Sequence, residues 1–369
     1  MRGLYVRNER VPAACEFSSQ RQKLSAIHGH VRQMIQDLID SGDVVQVDPE
    51  FVQQLISSAI IGVMWTRVPT HVRERGRLCD TFSGGTHMAK VAGQSVRYGQ
   101  VNYEYGMKLA GTPADEDGPI SMVNLMHYRE TADYGDGRDS SISGREADDR
   151  YAPLGPLAAI GAEPVFFADV DTQFLNDTPA WHRVGIVKYP TRRSFIEMQQ
   201  RPDFQELHAH KEAGMAQTIV AGCLPMPVPS LPASAPTWSE VPHPPTAEDP
   251  YVVVIHVIKF KDDERRSEMA TYTDHAANIA MHHGVRIATW MNVEGTIMGD
   301  GRTWDQIRFN VFPSREAFMK VVLDPARLQA QAAHRETAIA DTYTLITRPR
   351  IDRLYESIEG TPAPYPSRP

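Results

Sequence analysis

His256 and Arg308 are two side chains whose types and surroundings point to chemistry. Each interrupts an apolar segment typical of a buried strand, VVVIHVIKF around His256 and QIRFNVF around Arg308. A histidine titrates near neutral pH and can act as a general acid or base. An arginine keeps its positive charge and can hold an anionic or carbonyl-bearing ligand. The two residues therefore predict catalytic acid–base chemistry on a small molecule.

Further polar side chains are expected on the same face of the predicted strands. Successive side chains of a strand point to opposite faces, so residues two apart share a face. Hydroxyl and amide groups on that face can hydrogen-bond an enolate-like oxygen, and a second arginine can hold negative charge. The predicted substrate-binding residues are Asn124, Tyr128, Arg183, Tyr189, Gln306 and Asn310.

Each of these residues also has a structural interpretation. An arginine on a strand is more often paired with a nearby carboxylate than with a ligand, and this alternative applies to Arg183 and Arg308. His256 is more often a hydrogen-bonded core histidine in such a segment, and Asn124 and Asn310 can bond across the sheet. These alternatives stay open on the sequence alone.

The elements that must position these residues occur twice. Residues 181–210, WHRVGIVKYPTRRSFIEMQQRPDFQELHAH, match residues 304–334, WDQIRFNVFPSREAFMKVVLDPARLQAQAAH. The match aligns Trp181 with Trp304, Phe195 with Phe318, Pro202 with Pro325 and, after a slip of one residue, His210 with His334. An internal repeat predicts two copies of one small domain, with the two tryptophans packed at their interface.

Hydrophobic periodicity orders each copy as β-α-β-β-α-β, which is the ferredoxin-like unit. Between the copies, residues 225–250 contain nine prolines and are predicted to form an extended spacer. The predicted organisation is a helical extension at 1–70, an irregular connector at 71–117, a first repeat at 118–224, a proline-rich linker at 225–249, a second repeat at 250–355 and a disordered tail at 356–369.

Composition excludes several classes of protein. The net charge of −8 and the pI near 6.0 argue against a nucleic-acid partner. No apolar run approaches the ~20 residues of a membrane span, and the N-terminus lacks a secretory signal, so no membrane partner is expected. Cys15, Cys79 and Cys223 are far apart, so we expect neither a metal site nor a disulfide framework, and a cytoplasmic location.

Several segments carry a resemblance to known families. MVNLMHYRETADYGDGR, SGREADDRY and VKYPTRRSFIEM resemble the family called domain of unknown function 1330, and VIKFKDDERRSEMATYTDHAANIA resembles EthD-type domains. Both belong to the dimeric α+β-barrel superfamily, and the resemblance covers about residues 118–223 and 250–350. It implies that the two repeats form one barrel with a ligand cavity inside a single chain. EthD-like members often place a pocket histidine at the position of His275, which the resemblance adds as a catalytic residue.

The segment VRQMIQDLIDSGDVVQVDPEFVQQLISSAIIGVMW resembles the closing helices of the effector-binding domain of TetR-type regulators. That resemblance covers only about residues 1–70, and no helix-turn-helix precedes it. It therefore implies a helical extension and carries no DNA binding with it.

A barrel made of two such repeats predicts where the site lies. The apolar set Val123, Leu125, Ile255 and Val257 is expected to pack on the helices. The alternate set, with the polar residues, is then expected to line a cavity between the two sheets.

The predicted function is acid–base catalysis in that cavity by a cofactor-independent enzyme of the isomerase, cyclase or monooxygenase type. The alternatives are a non-catalytic ligand-binding or accessory protein, and a structural fusion with one inactive repeat. Neither the substrate nor the reaction follows from the sequence, and whether the chain forms a homo-oligomer is left open.

Overall fold

The computed structural model describes residues 95–366. The predicted helical extension at 1–70, together with Cys15 and Cys79, lies outside the described residues. The part of the predicted irregular connector that is described is instead regular: it forms β1 (Ser95–Val96), β2 (Gly99–Val101) and α1 (Tyr103–Gly111). Helix α1 begins at an N-cap, because the Asn102 side chain accepts a hydrogen bond from the Tyr105 backbone N–H.

The first repeat has the predicted β-α-β-β-α-β order, with two helices at each helical position. Its elements are β3 (Ile120–Tyr128), α2 (Gly144–Tyr151), α3 (Leu154–Ala159), β4 (Glu163–Leu175), β5 (Arg183–Tyr189), α4 (Arg192–Gln200), α5 (Pro202–Gly214) and β6 (Met215–Met226).

The second repeat follows the same order. Its elements are β7 (Val252–Phe260), α6 (Arg266–His282), β8 (Arg286–Gly299), β9 (Gln306–Phe312), α7 (Arg315–Val322), α8 (Pro325–Ala330), a π-helical turn (Gln331–Arg335), α9 (Glu336–Ala338) and β10 (Ile339–Asp352). A final helix, α10 (Leu354–Glu359), follows the repeat.

The repeated sequence signals produce the same local structure in both copies. The side chains of Thr191 and Ser314 cap the N-termini of α4 and α7 by accepting from the backbone N–H three residues later. Pro202 and Pro325 occupy the first turn of α5 and α8, where a proline removes no helical hydrogen bond. The aligned residues therefore mark helix starts.

Eight strands close into one antiparallel barrel. Within each repeat the strand order is last, first, third, second, which gives β6-β3-β5-β4 and β10-β7-β9-β8. The two sheets join along two seams, where β4 pairs with β10 and β6 pairs with β8. The structure thus confirms two tandem ferredoxin-like repeats that form a dimeric α+β barrel within one chain.

The barrel interior is filled by apolar side chains from both repeats. Val123, Leu125, Ile255 and Val257 all belong to this core, in which the Phe166 and Phe309 rings meet edge to face at 5.6 Å. Eight strands leave an interior just wide enough for side chains, so the core needs no ligand to fill it. The predicted packing of Trp181 and Trp304 at the interface is confirmed, because both rings contact Tyr343.

The linker and the tail dock against this barrel, contrary to expectation. Pro225 lies within β6, and the linker residue Trp238 is buried and donates from Nε1 to the Gly284 carbonyl at 2.8 Å. The Trp238 ring stacks on Tyr365 of the tail, which was predicted to be disordered but is also buried. Proline content forbids regular structure locally, but it does not prevent large aromatic side chains from packing on a neighbouring surface.

Within residues 95–366, no helix has both the length and the apolar character that crossing a membrane requires.

Asp352 at the end of β10 should make stability depend on pH. Burial raises the pKa of this carboxyl from 3.8 to about 6, although Tyr251 donates a hydrogen bond to it. The charged form is therefore disfavoured in the folded state, and the resulting destabilisation is absent below about pH 4 and complete above about pH 6. We expect Asp352→Asn to raise the free energy of unfolding by roughly 2 to 3 kcal/mol near pH 7 and to have little effect below about pH 4.

The measurement is urea unfolding of both proteins across this pH range. Asp300→Asn is the control of opposite sign, because Arg302 outweighs burial and holds the pKa of Asp300 below its ordinary value. That variant should lose stability near neutral pH. A benefit of Asp352→Asn that is the same at every pH would contradict the assignment.

Candidate functional site

The polar side chains of the sheet point toward the helices and not into the barrel. Arg308 donates from Nη1 to the Thr273 hydroxyl of α6 at 3.1 Å, and Arg183 donates from Nη1 to the Asp148 carboxylate of α2 at 3.0 Å. The predicted assignment of the two faces was therefore wrong, and with it the location of the site in a cavity between the repeats. Helices carry side chains that can satisfy buried polar groups, whereas a closed barrel interior does not.

The second repeat gathers most of the predicted residues in this layer between sheet and helices. We call the group the Arg308 cluster; it consists of His256, Thr273, Trp290, Asn292, Gln306, Arg308, Asn310, Arg335 and Thr344. Strand pairing fixes its centre, because His256 on β7 is directly opposite Arg308 on β9 and Thr344 on β10.

Arg308 is held by neutral groups alone. Its Nε and Nη2 atoms donate to the Gln306 side-chain oxygen at 3.1 and 2.8 Å, and its guanidinium lies 4.3 Å from the centre of the Trp290 ring. Trp290 is itself oriented by donating to the Asn310 side-chain oxygen at 2.9 Å. Arg308 is only 7% exposed, and no carboxylate of residues 95–366 lies within 4 Å of it. Burial, with a contribution from Arg335, lowers the pKa of Arg308 to about 10.

Arg335 brings a second buried cation from the helical layer. It is 5% exposed and, like Arg308, has no ion-pair partner among the residues that the structure describes. Burial lowers its pKa and Arg327 adds to the decrease, although Tyr272 opposes it. The π-helical turn that ends at Arg335 contains the extra residue that the repeat alignment shows as a slip of one position. This turn therefore places Arg335 in the cluster.

His256 is the titratable group beside these two cations. Its Nδ1 atom lies 3.2 Å from the Thr344 hydroxyl, and its side chain keeps part of its surface accessible. Burial lowers the pKa of His256 well below its ordinary value, and Arg335, Arg308 and Arg327 lower it further. The imidazole is therefore neutral near pH 7, which is the form that can accept a proton.

Arg183 in the first repeat has the surroundings of a structural arginine. It is fully buried, and its guanidinium contacts Asp148 at 3.0 Å, Asp149 at 2.8 Å and Asp169 at 3.2 Å. Burial alone would lower its pKa, but Tyr128, Asp149 and Asp148 raise it above the ordinary value. This arrangement matches the ion-pair alternative that the sequence left open.

Two other predicted residues also use their hydroxyl groups inside the protein. Tyr128 donates to Asp148 at 2.6 Å, and Tyr189 donates to the Met198 sulfur at 3.2 Å. Tyr128 also lines a surface cleft of ≈ 400 Å³ together with Arg145 and His182.

His275 lies apart from the Arg308 cluster even though it is on α6 with Thr273. Its Nδ1 atom lies 2.8 Å from the Thr271 carbonyl oxygen, and its exposed ring stacks on His334 at 5.6 Å. His334 in turn contacts Glu268 at 2.8 Å. The structure therefore groups His275 with a surface histidine–glutamate pair.

Five residues of the cluster were not predicted from the sequence: Thr273, Trp290, Asn292, Thr344 and Arg335. The first four are ordinary residues of a helix or strand, so they gave no signal. Arg335 did give one, because it directly follows His334, the residue at which the repeat alignment slips. Because π-turns are frequent at functional sites, an arginine beside an irregular helical turn is a candidate site residue.

The described residues contain no cluster of three or more histidine, cysteine, aspartate or glutamate side chains that could hold a metal ion.

The chain matches no protein-family model and no curated protein. Among solved structures, it is similar to a protein of unknown function from Rhodopseudomonas palustris, with 23% identity, 34% of this chain and 95% of that chain covered, and a TM-score of 0.30. It is similar to an anthrone oxidase-like protein with 13% identity, 64% and 96% covered, and a TM-score of 0.38. A chlorite dismutase variant from Candidatus Nitrospira defluvii has 15% identity, 66% and 95% covered, and a TM-score of 0.36.

Replacing Arg183 or Arg308 by methionine should distinguish an arginine that is paired with carboxylates from one that has no carboxylate partner among residues 95–366. Arg183→Met leaves Asp148 buried without its cation, which typically costs about 3–5 kcal/mol. Arg308→Met removes a buried cation that has no carboxylate partner, so the free energy of unfolding should fall by less than about 1 kcal/mol or rise. Both variants lose the same side chain, and denaturant unfolding compares them directly. An equally large loss in Arg308→Met would show that Arg308 stabilises the fold as Arg183 does.

Proposed function

We propose that the second repeat binds a small anionic molecule between its sheet and its helices, and that the Arg308 cluster is the binding site. One observation carries this proposal: Arg308 and Arg335 are both buried, and neither has a carboxylate partner among residues 95–366. Burying a charge is costly unless an opposite charge compensates it. A carboxylate-bearing ligand would supply that compensation through charge-assisted hydrogen bonds.

A bound anion would also change the neighbouring histidine. The positive charges of Arg335 and Arg308 lower the pKa of His256, after the larger effect of burial. A carboxylate placed between the cations and the imidazole cancels part of this effect, so the pKa of His256 rises. His256 thus becomes a better base when the ligand is present.

This coupling supports a cofactor-independent acid–base reaction. His256 would remove a proton from a carbon next to a carbonyl, and Arg308 would stabilise the enolate oxygen that develops. Isomerisation, cyclisation and oxygenation of such a molecule can share this first step. Gln306 and Asn310 act on the site through Arg308 and Trp290, whose positions they fix.

The second candidate function is ligand binding without catalysis. The low pKa of His256 in the free protein favours it, because a weakly basic imidazole is a poor proton acceptor. The resemblance of the two repeats to the domain of unknown function 1330 and EthD-type families is compatible with either candidate function, and so is a homo-oligomer.

Loss of either cation should weaken binding of an anionic probe. We expect benzoate to bind the wild-type protein and uncharged benzamide to bind much more weakly. Arg308→Gln and Arg335→Gln should each reduce benzoate affinity about tenfold or more, since a hydrogen bond to a charged group contributes about 1.5–3 kcal/mol. Titration calorimetry measures both, and Arg350→Gln, which changes a more exposed arginine paired with Asp169, is the control. Unchanged affinity in both cluster variants would refute the site.

The two candidate functions differ in proton exchange. We expect the wild-type protein to accelerate deuterium incorporation next to the carbonyl of 2- and 3-oxo carboxylates in heavy water, as followed by proton NMR. His256→Gln should bind the same compounds with similar affinity but lose most of this exchange, because its amide cannot act as a base. Binding without accelerated exchange in the wild-type protein would favour the non-catalytic candidate.

A further inference from the structure

The first repeat contains a counterpart of the Arg308 cluster with different chemistry. Lys211 is the fourth residue before β6 begins at Met215, and Arg335 is the fourth residue before β10 begins at Ile339. Asn124 on β3 pairs with Gly185, as His256 on β7 pairs with Arg308. The first repeat therefore has the amine of Lys211 and the amide of Asn124 in this part of the fold. The second repeat has two guanidinium groups and an imidazole there, from Arg335, Arg308 and His256.

Lys211 contacts neutral groups only. Its Nζ atom donates to the Asn124 side-chain oxygen at 3.3 Å and lies 5.3 Å from the centre of the Tyr151 ring. No carboxylate of residues 95–366 comes within 4 Å of it, which sets it apart from Lys259 and Lys320. Burial lowers the pKa of Lys211, although Asp148 opposes part of this decrease. A larger fraction of the amine is therefore uncharged near neutral pH than for a lysine in water.

Burial also disfavours the charged forms of two other groups on the helix of Lys211. His208 lies 3.3 Å from the Tyr98 hydroxyl and 3.7 Å from Glu212. Burial, with a contribution from Lys211, lowers the pKa of His208 to about 3, so this imidazole is neutral near pH 7. Burial raises the pKa of Glu212, whereas Arg97 lowers it. The Lys211 amine thus lies beside an aromatic ring and on the same helix as a neutral histidine.

We propose that Lys211 is a nucleophilic amine that captures an uncharged aldehyde or ketone as an imine. The Nζ lone pair forms a bond to the carbonyl carbon, and a proton moves from nitrogen to the resulting oxygen. The resulting hydroxyl takes up a further proton from solvent and leaves as water while the carbon–nitrogen double bond forms, and the nitrogen then returns its second proton to solvent. No electrons are gained or lost overall.

The class of carbonyl compound follows from the charges nearby. Arg183, the arginine of this layer on β5, is already paired with three aspartates, so its charge is compensated and it is poorly suited to hold an anionic group. An oxo acid would fit the Arg308 cluster, whereas an uncharged carbonyl compound fits Lys211 and Tyr151. This inference does not rest on the function proposed for the second repeat.

Reductive trapping on the wild-type protein tests the proposal. The full chain is incubated with propanal and sodium cyanoborohydride at about pH 7, and the labelled lysines are identified by peptide mass mapping. We expect Lys211 to be labelled several times faster than exposed Lys320, since a lowered pKa leaves a larger fraction of the Lys211 amine uncharged and reactive. Lys320 shows that the reagents work, and Lys211→Met should lose the fast label while Lys320 labels as before.

Two results would overturn the proposal. The first is labelling of Lys320 while Lys211 stays unmodified, or is modified only when denaturant unfolds the protein. The second concerns the ligand class: pyruvate that labels Lys211 as fast as propanal would refute the preference for an uncharged carbonyl compound. Because the main measurement uses the unaltered chain, misfolding of a variant cannot account for either result.

Discussion

Closure of the barrel along the β4–β10 and β6–β8 seams is the constraint on which the rest of this structure depends. With both seams formed, the eight barrel strands are hydrogen-bonded on both sides and the inward-facing side chains have room only for each other. An interior of this size is stabilised by apolar packing, as the contact between Phe166 and Phe309 from opposite repeats shows. Polar groups on the strands must then find partners in the helical layer. Arg183 in the first repeat and Arg308 in the second therefore lie outside the barrel interior, between the sheet and the helices.

The helical layers of the two repeats supply different side chains to the arginine on the sheet. In the first repeat, α2 supplies Asp148 and Asp149, which compensate the charge of Arg183. In the second repeat, α6 supplies the hydroxyl of Thr273 to Arg308, and the π-helical turn adds Arg335. One helix provides carboxylates and the other a neutral oxygen, so the charge of Arg183 is compensated within the chain and that of Arg308 has no carboxylate partner among residues 95–366. The difference between the repeats thus lies mainly in the helices and only partly in the strands.

The sequence predicted the architecture well because the relevant signals are local and repeated. Trp181 and Trp304, Pro202 and Pro325, and the alternation along each strand were sufficient for the order of elements. It could not decide which face of the sheet the polar residues occupy, since both faces are buried and alternation only separates them. The tail was misjudged for a related reason: its composition is polar and proline-rich, but one aromatic residue, Tyr365, docks it. Arg335 could not be predicted as a site residue, because only the folded chain shows that it has no carboxylate partner among residues 95–366.

Arg308 and Arg335 are buried and have no carboxylate partner among residues 95–366, which raises the question of how the fold tolerates them. Hydrogen bonds to Gln306 and Thr273 and the face of the Trp290 ring stabilise Arg308 without neutralising it. Each contact is weaker than an ion pair with a carboxylate, so the remaining electrostatic strain appears in the lowered pKa values of Arg308 and His256. The proposed anionic ligand would relieve the strain on both groups at once and would couple binding to protonation of the imidazole. An aspartate side chain at the same place would stabilise the fold and abolish this coupling. Arg286 is also buried without a carboxylate partner among residues 95–366, but it donates to the backbone carbonyl oxygens of Val285 and Pro236, whereas Arg308 donates to the side chains of Gln306 and Thr273. The lack of a carboxylate partner at Arg308 is the feature that the proposed binding role would explain.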